Sequence, residues 1–201
     1  MMDIRIEKTT CPKAKPDWSH LGFGHFFTDH MVIMNYTDGH IQLFRPQKNI
    51  ERMNHTNDRL CIPRVDPDDV LNAIKTLVEV DKDWVPSAEG TSLYIRPFLY
   101  STNPTLSLHG VYSATFAVIL SPSGSYFKNG LQPVPIMVET EDVRAVRGGT
   151  GEAKCGGNYG AANRAGDRAI EKGFSQVLWL DGVERKYVEE GGGMNVMFKI
   201  N

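Results

Sequence analysis

Cysteine is scarce in this chain of 201 residues. Only Cys11, Cys61 and Cys155 are present, odd in number and widely spaced, with no Cys-x-x-Cys pair. That pattern excludes a disulfide framework, a thiol-exchange motif and a zinc site of ordinary ligand spacing, and the three read as reduced thiols in a cytosol. An excess of positive charge is missing too: 22 Lys and Arg stand against 24 Asp and Glu, a net charge of −2. No basic footprint for nucleic acid or a membrane surface follows from that balance, although a single arginine still suffices for a small anion. The chain has no apolar run approaching ~18 residues, and its first residues lack the apolar core of a signal peptide, which disfavours membrane spanning and secretion. The expected compartment is cytoplasmic. There is no internal repeat and no low-complexity segment beyond Gly191-Gly-Gly193. What remains is a hydrophobic content of 41%, enough for an ordinary core in one large or two small domains.

The most informative stretch is Arg147-Gly-Gly-Thr-Gly-Glu-Ala-Lys154-Cys-Gly-Gly-Asn-Tyr159, where five of thirteen residues are glycine. Such density means positive φ or close approach to something, and a ligand is the reading taken here. Most lysines are solvated surface charges. Lys154 differs in standing just before a small-residue helical run, whose free N–H groups and dipole suit anions and polar cofactors. Cys155 beside it has no evident base and reads as filler.

Along the chain, residues 1–25 read as an extended arm broken by Pro and Gly. Phe26–Tyr36 reads as a strand, and residues 31–45 as a hairpin turning at Thr37-Asp-Gly-His40. Pro46 opens a helix with Ile50, Met53 and Leu60 on one side and Arg52 and Arg59 among its charges. Asp66 caps a second helix whose stripe of Val70, Leu71, Ile74, Leu77 and Val78 is core. Residues 81–90 form a loop. In the strand Thr91–Tyr100, the period of two puts Leu93, Ile95 and Pro97 on one face and Tyr94, Arg96 and Phe98 on the other, either a pocket wall or a half-exposed sheet face. Ser113–Leu120 reads as a buried strand, and Val134–Val138 as an edge strand flanked by prolines. The charged segment Glu139–Arg147 is read as a linker, dividing a small domain of residues 1–143 from a second unit of residues 144–201. That unit continues as a helix to about Lys172, stopped by Gly173. It then forms a hairpin, Ser175–Leu180 turning at Asp181-Gly182 and returning over Val183–Glu190, and ends in a strand over Met194–Ile200.

A lysine in a flexible loop, a phenol five residues on, a carboxylate delivered into glycines and scattered arginines are the parts of pyridoxal-phosphate chemistry. The amine forms a Schiff base and shuttles a proton, while a carboxylate keeps the pyridine nitrogen protonated. With these parts, the chain resembles the branched-chain amino acid aminotransferases of class IV, fold-type IV. The resemblance is carried by Phe27-Thr-Asp-His-Met31, Asn49-Ile-Glu-Arg-Met53, Arg59-Leu-Cys-Ile-Pro63, Val80-Asp-Lys-Asp-Trp-Val-Pro86 and Gly90-Thr-Ser-Leu-Tyr-Ile-Arg-Pro97. Further segments are Arg144-Ala145, Lys154-Cys-Gly-Gly-Asn-Tyr159, Gln176-Val-Leu-Trp-Leu180 and Glu189-Glu-Gly-Gly-Gly-Met-Asn195. They lie in family order across nearly the whole chain.

The resemblance implies an α/β (α+β) fold, a small domain followed by part of a barrel-like larger one. It implies that Lys154 is the Schiff-base lysine, that Tyr159 bonds the cofactor's phenolic oxygen, that Glu190 pairs with the pyridine nitrogen and that Arg52 holds the phosphate. Tyr94 and Arg96 fall around the substrate, and Phe27 on an aromatic wall of its pocket. The implied reaction is ping-pong transfer of the amino group of Leu, Ile or Val to 2-oxoglutarate, giving glutamate, by a homodimer. D-amino acid transaminase and aminodeoxychorismate lyase are alternatives within the class.

The chain also departs from the family. Only Thr37–His40 stands where the family carries several dozen residues, the chain stops at Asn201 where the family continues, and Gly191-Gly-Gly193 replaces Val-Gly and a small residue. Loose strand entry, an incomplete pocket and a non-catalytic fragment are the expectations attached to these departures.

Overall fold

A computed structural model describes residues 27–28, 31–35, 40–124 and 132–200, the first two stretches as backbone only. The arm over residues 1–25, the 37–39 part of the expected turn and Cys11 lie outside the described residues. The chain divides into two units, Met1–Lys128 and Asn129–Asn201, ahead of the boundary near residue 143 read from charge. Glu139 explains the difference: its N–H continues the strand pairing of the second unit by donating to Leu178 O at 3.0 Å, and its side chain is buried. The charged segment is part of that unit's framework.

In the first unit, the residues read as one strand from Phe26 give two elements, β1 (Phe27–Thr28) and β2 (Met31–Asn35). Both pair antiparallel with β4 (Ser92–Ser101), β1 at Phe98 and Leu99 and β2 at Leu93–Ile95. The expected hairpin exists, β2 pairing antiparallel with β3 (Ile41–Leu43). The other edge of β4 carries β5 (Ala114–Ser123) along its whole length. The helix α1 (Pro46–Arg59) starts at the proline, as its fixed φ favours. The helix α2 (Pro67–Val80) starts where Asp66 accepts the N–H groups of Asp68 and Asp69 at 2.9 and 3.0 Å, orphan donors that only a cap or water would otherwise satisfy.

Val70, Ile74 and Val78 of α2 and Ile50 of α1 pack on Leu93 and Ile95 of β4 to form the core, and the loop after α2, which holds a 3-10 turn at Lys82–Trp84, adds Val85. Leu71 and Leu77 are only half-buried. β5 is half-buried rather than buried as its apolar run suggested, because among the described residues it pairs on one side only, with β4.

The second unit is a three-stranded sheet in the order β6 (Ile136–Val138), β7 (Gln176–Leu180), β8 (Val188–Gly191), β6 parallel and β8 antiparallel to β7. The helix α3 (Gly156–Glu171) lays Ala165 and Ala169 on Val177 and Trp179. It stops at Lys172, where Gly173 takes φ +83°, the left-handed conformation that ends helices.

Two expectations fail here. No two-residue turn joins β7 to β8: Asp181 instead folds residues 181–187 into a loop, its carboxylate accepting the N–H groups of Lys186 and Tyr187 at 2.8 Å, Glu184 at 2.7 Å and Val183 at 3.1 Å. Residues 194–200 form no strand beyond one bridge between Gly191 and Met194, and Met197, Phe198 and Ile200 are exposed. Alternating apolar residues specify a strand only where a neighbour accepts them.

Candidate functional site

The second unit brings Lys154, Tyr159 and Glu190 into one neighbourhood through Arg144, a residue quoted above only as part of a motif. Lys154 precedes α3 and Tyr159 lies in its first turn. The Lys154 amine donates a short hydrogen bond to the Tyr159 hydroxyl and sits 5.0 Å from that ring's centroid. Arg144 lies 6.0 Å from the same centroid, and its Nε meets Glu190 Oε2 at 2.7 Å. Arg144 is 11% exposed and Glu190 27%, so this ion pair is screened less than a surface one.

The backbone around these groups is held by the protein itself. A Cβ on Gly151 would lie 2.4 Å from the Cβ of Ala145, so that glycine lets the lysine loop cross the Arg144–Ala145 segment. The expected ligand contact of the glycine-rich loop is, at this position, a contact with Ala145. Glu139 anchors the start of the Arg144 segment. Its carboxylate accepts the N–H groups of Glu141 and Asp142 at 2.6 and 3.0 Å and a short bond from Arg168 of α3. Burial pushes its carboxyl up, but those N–H groups and the Arg168 guanidinium outweigh it and hold the carboxyl below its usual range. Asp142 is likewise lowered, first by its bond to Arg164.

A cavity of about 320 Å³ opens beside this cluster, lined by Arg144, Ala145, Trp179, Glu189, Glu190, Asn195 and Val196. Trp179 is 1% exposed and donates its indole N–H to Gly192 O at 2.9 Å, which fixes the chain just past Glu190. Cys155 is buried at the cap of α3, in keeping with a packing role.

The other predicted residues belong to the first unit. Tyr94 and Arg96 share a face of β4, with Arg96 Nη2 donating to the Tyr94 hydroxyl at 3.1 Å and its guanidinium 5.2 Å from the ring centroid. Arg52 is exposed on α1. Phe27 is on β1, where only the backbone is described. Among the described residues there is no group of three or more His, Cys, Asp or Glu able to hold a metal, and no helix long and apolar enough to cross a membrane.

Lysine, phenol, carboxylate and arginine on a mixed α/β fold are the elements of a group-transfer site, and the comparisons give it a family. The model for amino-transferase class IV matches residues 31–201, and the chain belongs to that family. Within it, the chain is 48% identical over 239 residues to branched-chain-amino-acid aminotransferase 2 of Bacillus subtilis (strain 168), covering 98% of this chain and 66% of the relative. It is 44% identical over 240 residues to branched-chain-amino-acid transaminase 1 of the same organism, covering 98% and 67%.

The chain thus spans about two thirds of the length of these curated relatives. An alignment of 239 residues against a chain of 201 also leaves several dozen positions of the relative facing a gap. Two solved structures show the fold: the branched-chain aminotransferase of the thermophilic archaeon Thermoproteus uzoniensis with norvaline, and the branched-chain amino acid aminotransferase of Thermobaculum terrenum in its PLP-bound holo form. The first has a TM-score of 0.69 at 21% identity, covering 89% of this chain and 58% of that one. The second has a TM-score of 0.64 at 17% identity, covering 83% and 52%.

Proposed function

We propose that the chain is a pyridoxal-phosphate-dependent branched-chain aminotransferase polypeptide that moves the amino group of Leu, Ile or Val to 2-oxoglutarate. The observation that carries this reading is the Arg144-linked cluster of Lys154, Tyr159 and Glu190, of which Arg144 and Glu190 line an open cavity. The donor set fits the cofactor: a primary amine for its aldehyde, a phenol for its ring hydroxyl and a carboxylate for its pyridine nitrogen. When bound, the cofactor supplies an electron sink.

The chain's own residues do the rest. Lys154 is the nucleophile and proton carrier at Nζ, Tyr159 holds that amine in position, and Arg144 holds the Glu190 carboxylate that would serve the pyridine nitrogen. Arg52 serves the phosphate, while Tyr94, Arg96 and Phe27 serve the substrate. Assembly as a homodimer in the cytoplasm completes the proposal.

A second reading, a chain that binds the cofactor without turnover, is favoured by the several dozen aligned positions that face a gap. The test is to add pyridoxal phosphate to the purified chain and record its visible absorbance, then measure leucine-dependent glutamate formation from 2-oxoglutarate. The expected result is a visible band that is absent in Lys154→Ala, together with turnover. No band in the unmutated chain refutes the cofactor assignment, and a band without glutamate selects the second reading.

A further inference from the structure

The most buried polar side chain next to the lysine is one the reaction itself does not use. Asn158 is 6% exposed, in the first turn of α3 between Lys154 and Tyr159. All its side-chain bonds go to one short segment. Its Nδ2 donates to Thr150 O at 2.8 Å and to Ala153 O at 2.7 Å, and its Oδ1 accepts from Thr150 Oγ1 at 2.9 Å. Ala153 O also accepts Cys155 N–H at 3.0 Å, and Thr150 O accepts Ala153 N–H at 2.9 Å. The carbonyl immediately before Lys154 is therefore gripped from inside the helix and from the residue after the lysine.

We propose that Asn158 is the positioning residue of Lys154, its buried carboxamide closing the 150–153 turn so that the amine reaches the Tyr159 hydroxyl. The physical reason is connectivity. Tyr159 follows Asn158 on the helix, so the group that fixes the loop is rigidly attached to the group that receives the amine. A buried amide whose donors and acceptor are all used holds its partners more firmly than solvated contacts hold theirs, because releasing them leaves unsatisfied polar atoms. Thr150 takes part through its hydroxyl as well as its carbonyl, which makes the clamp separable into two halves by mutation.

This rests on the reading of Lys154 as the working amine, and its test needs no cofactor. The purified chain is acetylated with trace N-hydroxysuccinimidyl acetate, and the labelling of Lys154 is read by peptide mass spectrometry against exposed Lys172 at the end of α3. Asn158→Asp keeps the shape and the acceptor but removes both donations; Thr150→Val removes only the hydroxyl donation, and Thr150→Ser restores it. Loss of the two donated hydrogen bonds, each taken at the low end of its net worth, predicts a rise of about fivefold in the Lys154 to Lys172 ratio for Asn158→Asp. A smaller rise is expected for Thr150→Val and the unmutated value for Thr150→Ser, with circular dichroism unchanged.

A ratio that stays at the unmutated value in both Asn158→Asp and Thr150→Val, whether or not the melting temperature falls, assigns a purely structural role and overturns the proposal. Should Asn158→Asp fail to fold, the Thr150→Val and Thr150→Ser pair decides alone. Absence of a visible cofactor band in the unmutated chain refutes the functional reading and leaves this ratio as it is, so the two failures are distinguishable.

Discussion

Gly191-Gly192-Gly193 follows the candidate carboxylate, and the structure gives the three glycines different work, which a set of alanine substitutions will separate. Gly192 has φ +60°, and an added Cβ there would lie 2.1 Å from Gln176 Oε1. The side-chain end can turn away, but the backbone is pinned. Gly192 N–H donates to Val177 O at 2.6 Å and its carbonyl receives the Trp179 indole at 2.9 Å. Alanine must then accept the left-handed conformation, a cost of about 1–2 kcal/mol.

Gly193 has no positive φ, and its added Cβ would meet only Tyr159 Cε1, at 4.0 Å. Alanine there removes unfolded-state freedom without strain and stabilises by about 0.4–1 kcal/mol. Gly191 lies between: its Cβ would press on Val196 Cγ2 at 3.1 Å, so a small adjustment offsets the entropic gain.

Hydrogen exchange by mass spectrometry over peptides covering residues 176–192 reads this unit separately. Exchange of the protected amides should accelerate roughly 5–30-fold in Gly192→Ala, change little in Gly191→Ala and slow in Gly193→Ala. Equal acceleration in Gly192→Ala and Gly193→Ala would falsify the assignment, because it would mean that the strand entry, and not one φ, sets the requirement.

The same exchange measurement applies to Trp179→Phe. It removes the donor to Gly192 O and leaves a void at a side chain that is 1% exposed, for an expected loss of about 2 kcal/mol; a loss confined to a few tenths contradicts the packing described. A third prediction concerns pH. The backbone N–H groups of Tyr187, Lys186 and Glu184 hold the Asp181 carboxyl far below its usual range, and Glu139 and Asp142 are lowered as described. Groups with depressed folded pKa values stabilise above their unfolded values of about 4 and lose that contribution as pH falls through the folded ones. Thermal melts from pH 7 to pH 3 should therefore show Asp181→Asn below the unmutated chain at neutral pH, with the gap narrowing as pH falls below about 4. A gap of constant size across that range refutes the linkage.

Local chemistry was readable wherever one residue decides a local geometry. Asp66 with Pro67 marked α2, Pro46 marked α1 and Gly173 ended α3, because caps and fixed φ angles act within one turn of chain. The alternation of Leu93, Ile95 and Pro97 gave the buried face of β4 for the same reason. The Asp181 loop was misread as a two-residue turn, since Asp-Gly is a turn signal whether the carboxylate binds one N–H or, as here, four. The Met194–Ile200 pattern was misread as a strand because alternation describes the segment and not the neighbour it needs. Arg144 carried no signal of its own: only its approach to Glu190, 46 residues on in sequence, distinguishes it from any other arginine. Asn158 was quoted within a motif, and nothing short of its three hydrogen bonds separates it from an exposed helix residue.

How the candidate site is divided along the chain bears on what a shortened chain keeps. Arg144, Lys154, Tyr159 and Glu190 lie within the second unit, and the contacts that hold them, Gly151 on Ala145, Arg168 on Glu139 and Trp179 on Gly192, are internal to it. The contacts that set their geometry therefore lie within residues 139–192. The residues proposed for the phosphate and the substrate, Arg52, Tyr94, Arg96 and Phe27, belong to the first unit, where the short connection at residues 37–40 stands. A shortening there strikes affinity and substrate choice before it strikes the lysine.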